Sequence, residues 1–248
     1  FSDVYQRGEN DADIDQIGEN SSIVEQRGDN YAKVYQDGFS NIELQQSEVY
    51  QQGKNNFANV MQWGYGNESY IDQDNHGGGH TPGAKKGNKA LVEQLGYNND
   101  SDIDQDNDAN WARTDQEGNW NDSFTYQESW GGVEAIHPSG YLQGSSVNQI
   151  GEANYSNVYQ YGANQKSVVL QSADTFMPDY SFTNEAWVIQ NGEFSDSMID
   201  QSDCLEVNAN NYAEVRQTNM IGSLGGNNST VLQKGANTAN VTQVNGID

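Results

Sequence analysis

The fold of this chain is decided by the stretch Gln62-Trp63-Gly64-Tyr65-Gly66-Asn67-Glu68-Ser69-Tyr70-Ile71-Asp72-Gln73. Similar stretches recur from Gln6 to Gln243 at intervals of 10 or 11 residues, and about 19 of them are recognisable. A constant period of this kind is typical of repeat architectures, in which each unit buries its apolar side against the next unit.

Within each unit the residues alternate in character. In residues 1–44 every charged side chain has an odd number, from Asp3 to Glu43, whereas Val4, Gln6 and Ile14 are among the even-numbered positions. A period of two is typical of a β-strand that has one charged and one uncharged face. The Gly that follows two positions after Gln, with Asn close behind it, predicts a turn, because Gly adopts positive φ at little cost.

Two arms joined by such a turn would form one flat coil, and about ten coils would stack as an all-β solenoid with arms about 4.8 Å apart. Equivalent Gln and Asn side chains would lie above one another, and their amides would form hydrogen-bonded ladders as in cross-β structures. The candidate ladder and core-repeat residues are Gln6, Gln16, Gln26, Gln36, Gln62, Asn67, Gln73, Gln94, Asn99, Gln105, Gln116, Gln127, Gln149, Asn154, Gln160, Gln201 and Gln243.

The repeat is interrupted at about residues 39–48, 74–87, 128–146, 172–183, 202–210 and 218–226. The first interruption keeps some alternation and indicates an extended bulge, whereas the others are predicted to be loops that leave the coil. Because none of them marks a domain boundary, we expect a single domain over residues 1–248.

Composition excludes several classes of protein. The chain has 11 Lys and Arg against 36 Asp and Glu, a net charge of -25, so a nucleic-acid binder is disfavoured. No stretch approaches the roughly 20 apolar residues of a membrane-spanning helix. The single cysteine, Cys204, excludes an intrachain disulfide framework and is expected to lie in a loop, either unpaired or in an intermolecular disulfide. The chain opens with Phe1-Ser2-Asp3 and shows no leader, so a secreted protein would already have lost its signal peptide.

The repeat resembles that of curlin, the subunit of curli, which are functional amyloid fibres of bacterial biofilms. The curlin repeat reads Gln-x-Gly-x-Gly-Asn-x-Ala-x-x-x-Gln, with Ser sometimes replacing Ala. Residues 62–73 match it at Gln62, Gly64, Gly66, Asn67, Ser69 and Gln73, and residues 149–160 match it except for one Gly. The familiar curlin subunit has about half as many double-arm repeats as this chain. The resemblance implies a curlin-type β-solenoid and an extracellular location on the cell surface.

The function expected from this pattern is that of a filament subunit. The repeat continues close to both ends of the sequence, and Val4, Gln6, Val241 and Gln243 are the candidate polymerisation residues. Open strand edges pair with other chains, so subunits would add head to tail. The partner would be the chain itself, and the resemblance adds a nucleating homologue and an outer-membrane secretion pore. The alternative is a monomeric acidic β-solenoid that binds calcium or a surface ligand.

The remaining candidates give weaker signals. Asp102, Asp104, Asp106 and Asp108 alternate along one arm, and they are either a solvated acidic face or a weak calcium site. His76, His80 and His137 are either loop residues or metal ligands. Tyr5, Tyr35, Tyr50, Tyr126 and Tyr159 precede a repeat Gln and would point outward, to pack between coils or to make lateral contacts. No acid pair is accompanied by an apolar pocket or a partnered base, so we expect neither an enzyme nor a cofactor.

Overall fold

The computed structural model describes residues 1–38, 44–75, 87–107, 109–129, 143–173, 184–204, 211–219, 226–234 and 236–245, without the side chains of residues 202–204. Within these ranges the chain forms strands and turns and no helix. The strands are β1 (Ser2–Arg7), β2 (Asp11–Ile17), β3 (Asn20–Gly38), β4 (Gln45–Tyr65), β5 (Glu68–Asp74), β6 (Lys89–Tyr97), β7 (Asp100–Asp106), β8 (Asn110–Asn119), β9 (Asp122–Ser129), β10 (Gln143–Glu152), β11 (Asn154–Ala163), β12 (Gln165–Ala173), β13 (Asn184–Glu193), β14 (Ser195–Cys204), β15 (Asn211–Asn219), β16 (Asn227–Leu232) and β17 (Thr238–Asn245).

The strands stack in two parallel rows of arms. The front row contains β1, the first halves of β3 and β4, β5, β7, β9, β11, β13, β15 and β17. The back row contains β2, the second halves of β3 and β4, β6, β8, β10, β12, β14 and β16. Each coil is one front arm followed by one back arm. The predicted β-solenoid is therefore confirmed. Equivalent arms of successive coils pair in register, with shifts between Asp29 and Tyr31 and between Gln171 and Ala173.

The core is a thin layer between the two rows. Burial alternates along each interior arm, as in β7, where Ser101, Ile103 and Gln105 are fully buried and the residues between them are half-buried. Two clusters of Val, Ile and Ala fill most of the layer, one in the first coils and one in the last coils. Between the clusters lie Thr114 and Thr125, so the middle of the core is polar.

Several residues predicted to lie outside the repeat belong to it. Gln45 begins β4 and pairs with Asn20, so residues 45–48 continue the ladder instead of forming a bulge. The loop expected at 202–210 begins later than predicted, because Cys204 ends strand β14 and pairs with Ala173. The prediction that Cys204 lies in a loop was therefore wrong. Backbone pairing continues there after a shift of register between Gln171 and Ala173, although the sequence has lost its alternation.

The described residues contain no helix that is long and apolar enough to cross a membrane.

Candidate functional site

Two ladders of glutamine side chains run the length of the solenoid, one in each row. In every link the Nε2 of one Gln donates to the Oε1 of the Gln in the next coil, over 2.6–3.0 Å. The front ladder is Gln6, Gln26, Gln51, Gln73, Gln105, Gln127, Gln160, Gln190, Gln217 and Gln243. The back ladder is Gln16, Gln36, Gln62, Gln94, Gln116, Gln149, Gln171, Gln201 and Gln233.

Each interior Gln also ties its own row to the opposite row. Gln105 accepts a hydrogen bond from Gln73, donates one to Gln127 and donates a second one to the backbone carbonyl of Lys89, at 3.2 Å. Gln116 makes the equivalent cross-bond to the carbonyl of Asp100 at 2.7 Å. Both N–H groups of the amide are therefore used. A buried Gln that left these groups unpaired would cost about 1–3 kcal/mol for each of them.

The asparagines form a second set of ladders near the turns. The backbone N–H and the Nδ2 of Asn99 both donate to Oδ1 of Asn67, at 3.1 Å, and Asn121 donates to Asn99 in the same way. Asn154 continues this ladder by donating to Asn121. These bonds run towards the N-terminus, whereas the Gln bonds run towards the C-terminus. The solenoid therefore carries two hydrogen-bond systems of opposite direction.

All 17 candidate ladder residues lie in these columns, which also contain five glutamines that were not among the candidates: Gln51, Gln171, Gln190, Gln217 and Gln233. Gln51 stands beside an interruption of the repeat, yet Gln51-Gln52-Gly53 keeps the Gln-x-Gly signal that would have identified it. Gln190 and Gln233 also carry this Gln-x-Gly signal, whereas Gln171 and Gln217 do not.

The asparagine columns are broken where Gln replaces Asn. In the front row Gln45 stands between Asn20 and Asn67, and Asn20 Oδ1 and Gln45 Oε1 are buried without a partner. In the back row Asn110 Oδ1, Gln143 Oε1 and Gln165 Oε1 are likewise unpartnered. The side chain of Gln is longer by one methylene, so its amide bonds backbone carbonyls instead, such as those of Asp37 and Gly64.

Gln45→Asn is expected to stabilise the fold by about 1–2 kcal/mol, because the shorter amide would join Asn20 to Asn67 and satisfy two buried oxygens. Thermal unfolding of the variant would measure the gain. The matched control is Gln46→Asn, since Gln46 is exposed and its side-chain amide donates to the exposed carboxylate of Glu68. Equal melting temperatures for both variants would contradict the assignment of a broken ladder.

The outer face of the front row is acidic in its middle coils. Asp72, Asp104 and Tyr126 are in register along one column, and Asp74 and Asp106 lie beside them. Burial between the coils and the neighbouring carboxylates raise the pKa of Asp104 to about 7. The same causes raise the pKa of Asp102 to about 6 and that of Asp122 to about 6.

Nowhere in the described residues do three or more His, Cys, Asp or Glu side chains come together so that they could hold a metal ion. Asp102, Asp104 and Asp106 share the outer face as predicted, and they repel one another. Asp108 and the three histidines His76, His80 and His137 lie outside the described residues.

A search of protein-family models, of curated proteins and of solved structures found no match to this chain.

The acidic face predicts that the solenoid becomes more stable as the pH falls. Asp102, Asp104 and Asp122 have a higher pKa in the folded chain than the ordinary value of 3.8, so the folded state binds protons more tightly. Stability therefore increases as the pH falls from about 7 towards 4. Melting temperatures measured from pH 8 to pH 4 would test this expectation.

The substitution Asp104→Asn tests how much one carboxylate contributes to this pH dependence of stability. It should raise the melting temperature at pH 8 and change it little at pH 4, where the native carboxyl is already protonated. The control is Asp29→Asn, because Asp29 pairs with Lys54 at 3.1 Å and gains from its charge. An equal rise at pH 8 in both variants would contradict the proposed repulsion.

Aromatic side chains form short stacks on the outside, and four of the five tyrosines that precede a repeat Gln take part in them: Tyr35, Tyr50, Tyr126 and Tyr159. Tyr35 packs against Trp63 and Tyr50 against Tyr70, with ring centroids 5.7 Å and 5.6 Å apart. Tyr126 donates a hydrogen bond to Asp106 at 2.9 Å. These rings connect neighbouring coils. Of the two roles that the sequence left open, packing between coils and lateral contacts, they take part in the first.

Proposed function

We propose that the chain is a structural subunit of an extracellular, curli-like filament that grows head to tail through its end arms. The observation that carries this proposal is that the end arms have the same hydrogen-bonding side chains as the interior arms. Gln6 and Gln16 donate into the two ladders but accept no hydrogen bond from any described residue. Gln233 and Gln243 accept from the ladders, and each keeps one N–H without a described acceptor.

The core side chains of the end arms also support assembly. Val4 is 45 % exposed, whereas Val24 and Val49 above it in the same column are fully buried. In β17 the inward residues, including Val241, are only half-buried. A second copy of the chain offers the same strand pattern and would bury these side chains as the interior coils do.

Backbone directions make the two ends complementary. The carbonyl of Phe1 accepts from Ser22 N–H, so the odd residues of β1 face β3, and the peptide groups of Val4 and Gln6 point away from it. At the other end Asn237 carbonyl accepts from Tyr212 N–H, so the peptide group of Val241 faces β15. By the same alternation, Gln243 also faces β15 and Thr242 points to the open edge. At the β1 edge the unpaired peptide groups therefore belong to residues whose side chains point inward. At the β17 edge they belong to residues whose side chains point outward.

Proline at the open edge tests the proposal. Val4→Pro and Thr242→Pro remove an N–H that bonds no described strand, so each variant should keep the fold of the monomer. In a head-to-tail filament the same N–H groups lie in the interior, and the variants should block growth. Each variant keeps one intact end, so adding it to growing wild-type filaments should shorten them in electron micrographs. Val4→Ala and Thr242→Ala keep the N–H and are the controls: Thr242→Ala should leave the lengths unchanged, and Val4→Ala should shorten the filaments far less than Val4→Pro.

Two results would count against the proposal. Filaments whose lengths do not respond to either proline variant would grow through other contacts. A purified chain that stays monomeric would favour the alternative, an acidic β-solenoid that binds calcium or a surface ligand. A nucleating homologue, a secretion pore and a cell-surface location belong to the proposal through the resemblance to curlin alone.

A further inference from the structure

The described solenoid has an odd number of arms. Ten arms lie in the front row, from β1 to β17, and nine lie in the back row, from β2 to β16. One end therefore presents a complete coil, made of β1 and β2. The other end is stepped, because β17 rises one arm higher than β16.

A second copy can meet this step in two ways. With the same orientation, its β1 would stack on β17, and a gap of one strand would remain between β16 and its β2. After a half-turn about the solenoid axis, its β1 would stack on β16 and its β2 on β17, and no arm would be missing. The half-turn reverses both the row and the strand direction, so all arms remain parallel. It leaves no strand edge unpaired at the junction.

The small core residues also match better in the half-turn arrangement, although the chain itself stacks Ser on Ala once in each row, at Ser145 on Ala112 and at Ser156 on Ala186. In the first coils the front row carries Ser, as at Ser22 and Ser47, and the back row carries Ala. In the last coils the assignment is reversed, with Ala213 and Ala239 in front and Ser197 and Ser229 behind. A half-turn places Ser on Ser and Ala on Ala across the junction, whereas the unrotated arrangement places Ser2 on Ala239.

From these observations we propose that successive subunits of the filament are related by a half-turn, with β1 of one copy on β16 and β2 on β17 of the preceding copy. This inference rests on the proposed function. The sequence Ser229-Thr230-Val231-Leu232-Gln233 then meets Ser2-Asp3-Val4-Tyr5-Gln6 residue for residue. In the other row Asn10, Ala12, Ile14 and Gln16 meet Asn237, Ala239, Val241 and Gln243.

Both glutamine ladders would continue across this junction, with each Nε2 donating to the Oε1 of the next coil as it does inside the chain. Nε2 of Gln233 would donate to Oε1 of Gln6, and Nε2 of Gln243 would donate to Oε1 of Gln16. The carboxylates of β2 would face Thr238, Asn240 and Thr242, so no acidic pair forms there. Arg7 opposite Lys234 is the single pair of like charge, and it lies at the exposed rim.

The half-turn has a consequence for the whole filament. Each copy would add nine and a half coils, which is about 46 Å of length at the strand spacing of about 4.8 Å. The acidic outer face around Asp102 and Asp104 would alternate between opposite sides from one copy to the next. Its charges would therefore be separated along the filament instead of forming one continuous acidic stripe.

Cysteine cross-linking tests the arrangement in a Cys204→Ser background. Tyr5 and Leu232 are 61 % and 68 % exposed and would be in-register neighbours across the half-turn junction. In-register strand neighbours lie about 4.8 Å apart, within the Cα separation of disulfides. The chain carrying Tyr5→Cys and Leu232→Cys should therefore give ladders of cross-linked multimers after oxidation of its filaments. The chain carrying Tyr5→Cys and Thr242→Cys, which reports the unrotated junction, should give at least tenfold less.

A positive control calibrates the chemistry. Leu170 and Asp200 are in-register neighbours within one chain, and Leu170→Cys with Asp200→Cys should form an intramolecular disulfide. Filaments that cross-link through Tyr5 and Thr242, or through neither pair while the control reacts, would overturn the half-turn but not the filament. Absence of filaments in electron micrographs of the wild-type chain would overturn the proposed function itself.

Discussion

Gly118→Ala is expected to destabilise the solenoid strongly, as is Gly→Ala at the equivalent turn glycines of the other coils. Gly118 turns the chain at the end of β8 with φ at +115°. A Cβ there would lie 2.0 Å from the backbone oxygen of Gly151 in the next coil. The positive φ costs a residue with a side chain about 1–3 kcal/mol, and the overlap costs about 1–3 kcal/mol more. Thermal unfolding would measure the combined loss of stability.

Gly144→Ala is the matched control for that substitution. Gly144 lies in β10 with an ordinary φ, and a Cβ there would have Trp111 Cε3 as its nearest neighbour, at 3.7 Å. Ala should stabilise this position by about 0.5–1 kcal/mol, because Gly loses more backbone entropy on folding. The two Gly→Ala variants should therefore shift the melting temperature in opposite directions. Equal shifts would contradict the close stacking of the turns.

Gln105→Leu should have the second large effect. Gln105 is fully buried and makes three hydrogen bonds, to Gln73, Gln127 and the carbonyl of Lys89. Leu has a similar volume but leaves each of these partners with an unpaired buried group, at about 1–3 kcal/mol per group. We expect a loss of at least 3 kcal/mol in the free energy of unfolding, measured by chemical denaturation.

Ser101→Ala is the control for Gln105→Leu within the same strand. Ser101 is also fully buried, but its hydroxyl has no hydrogen-bond partner. Removing the hydroxyl should be neutral or slightly stabilising, because a buried polar group without a partner costs free energy. A loss at Ser101 comparable to that at Gln105 would mean that core packing, rather than the amide ladder, determines both effects.

A large part of the fold could be predicted from the pattern of residues along the sequence. The alternation of charge in residues 1–44 identified which side chains turn inward, because a strand exposes alternate residues on opposite faces. The positions of Gln and Gly marked arm ends and turns. The spacing of repeats also predicted the register, since stacking in any other register would separate equivalent amides. Gln45 and Cys204 escaped prediction because backbone pairing continues there after the side-chain pattern has changed.

The sequence by itself determined that equivalent amides lie above one another, because a periodic chain that stacks in register repeats every side chain. It could not determine the direction of the ladders, which depends on how each Gln amide reaches the carbonyl of the opposite row, as Gln105 reaches Lys89. Nor could it determine which peptide groups face the open edges, so Val241 was predicted as an edge position although its peptide group faces β15. The step between β16 and β17 also depends on how arms divide between two rows. Such properties arise only from contacts between distant residues in the folded chain.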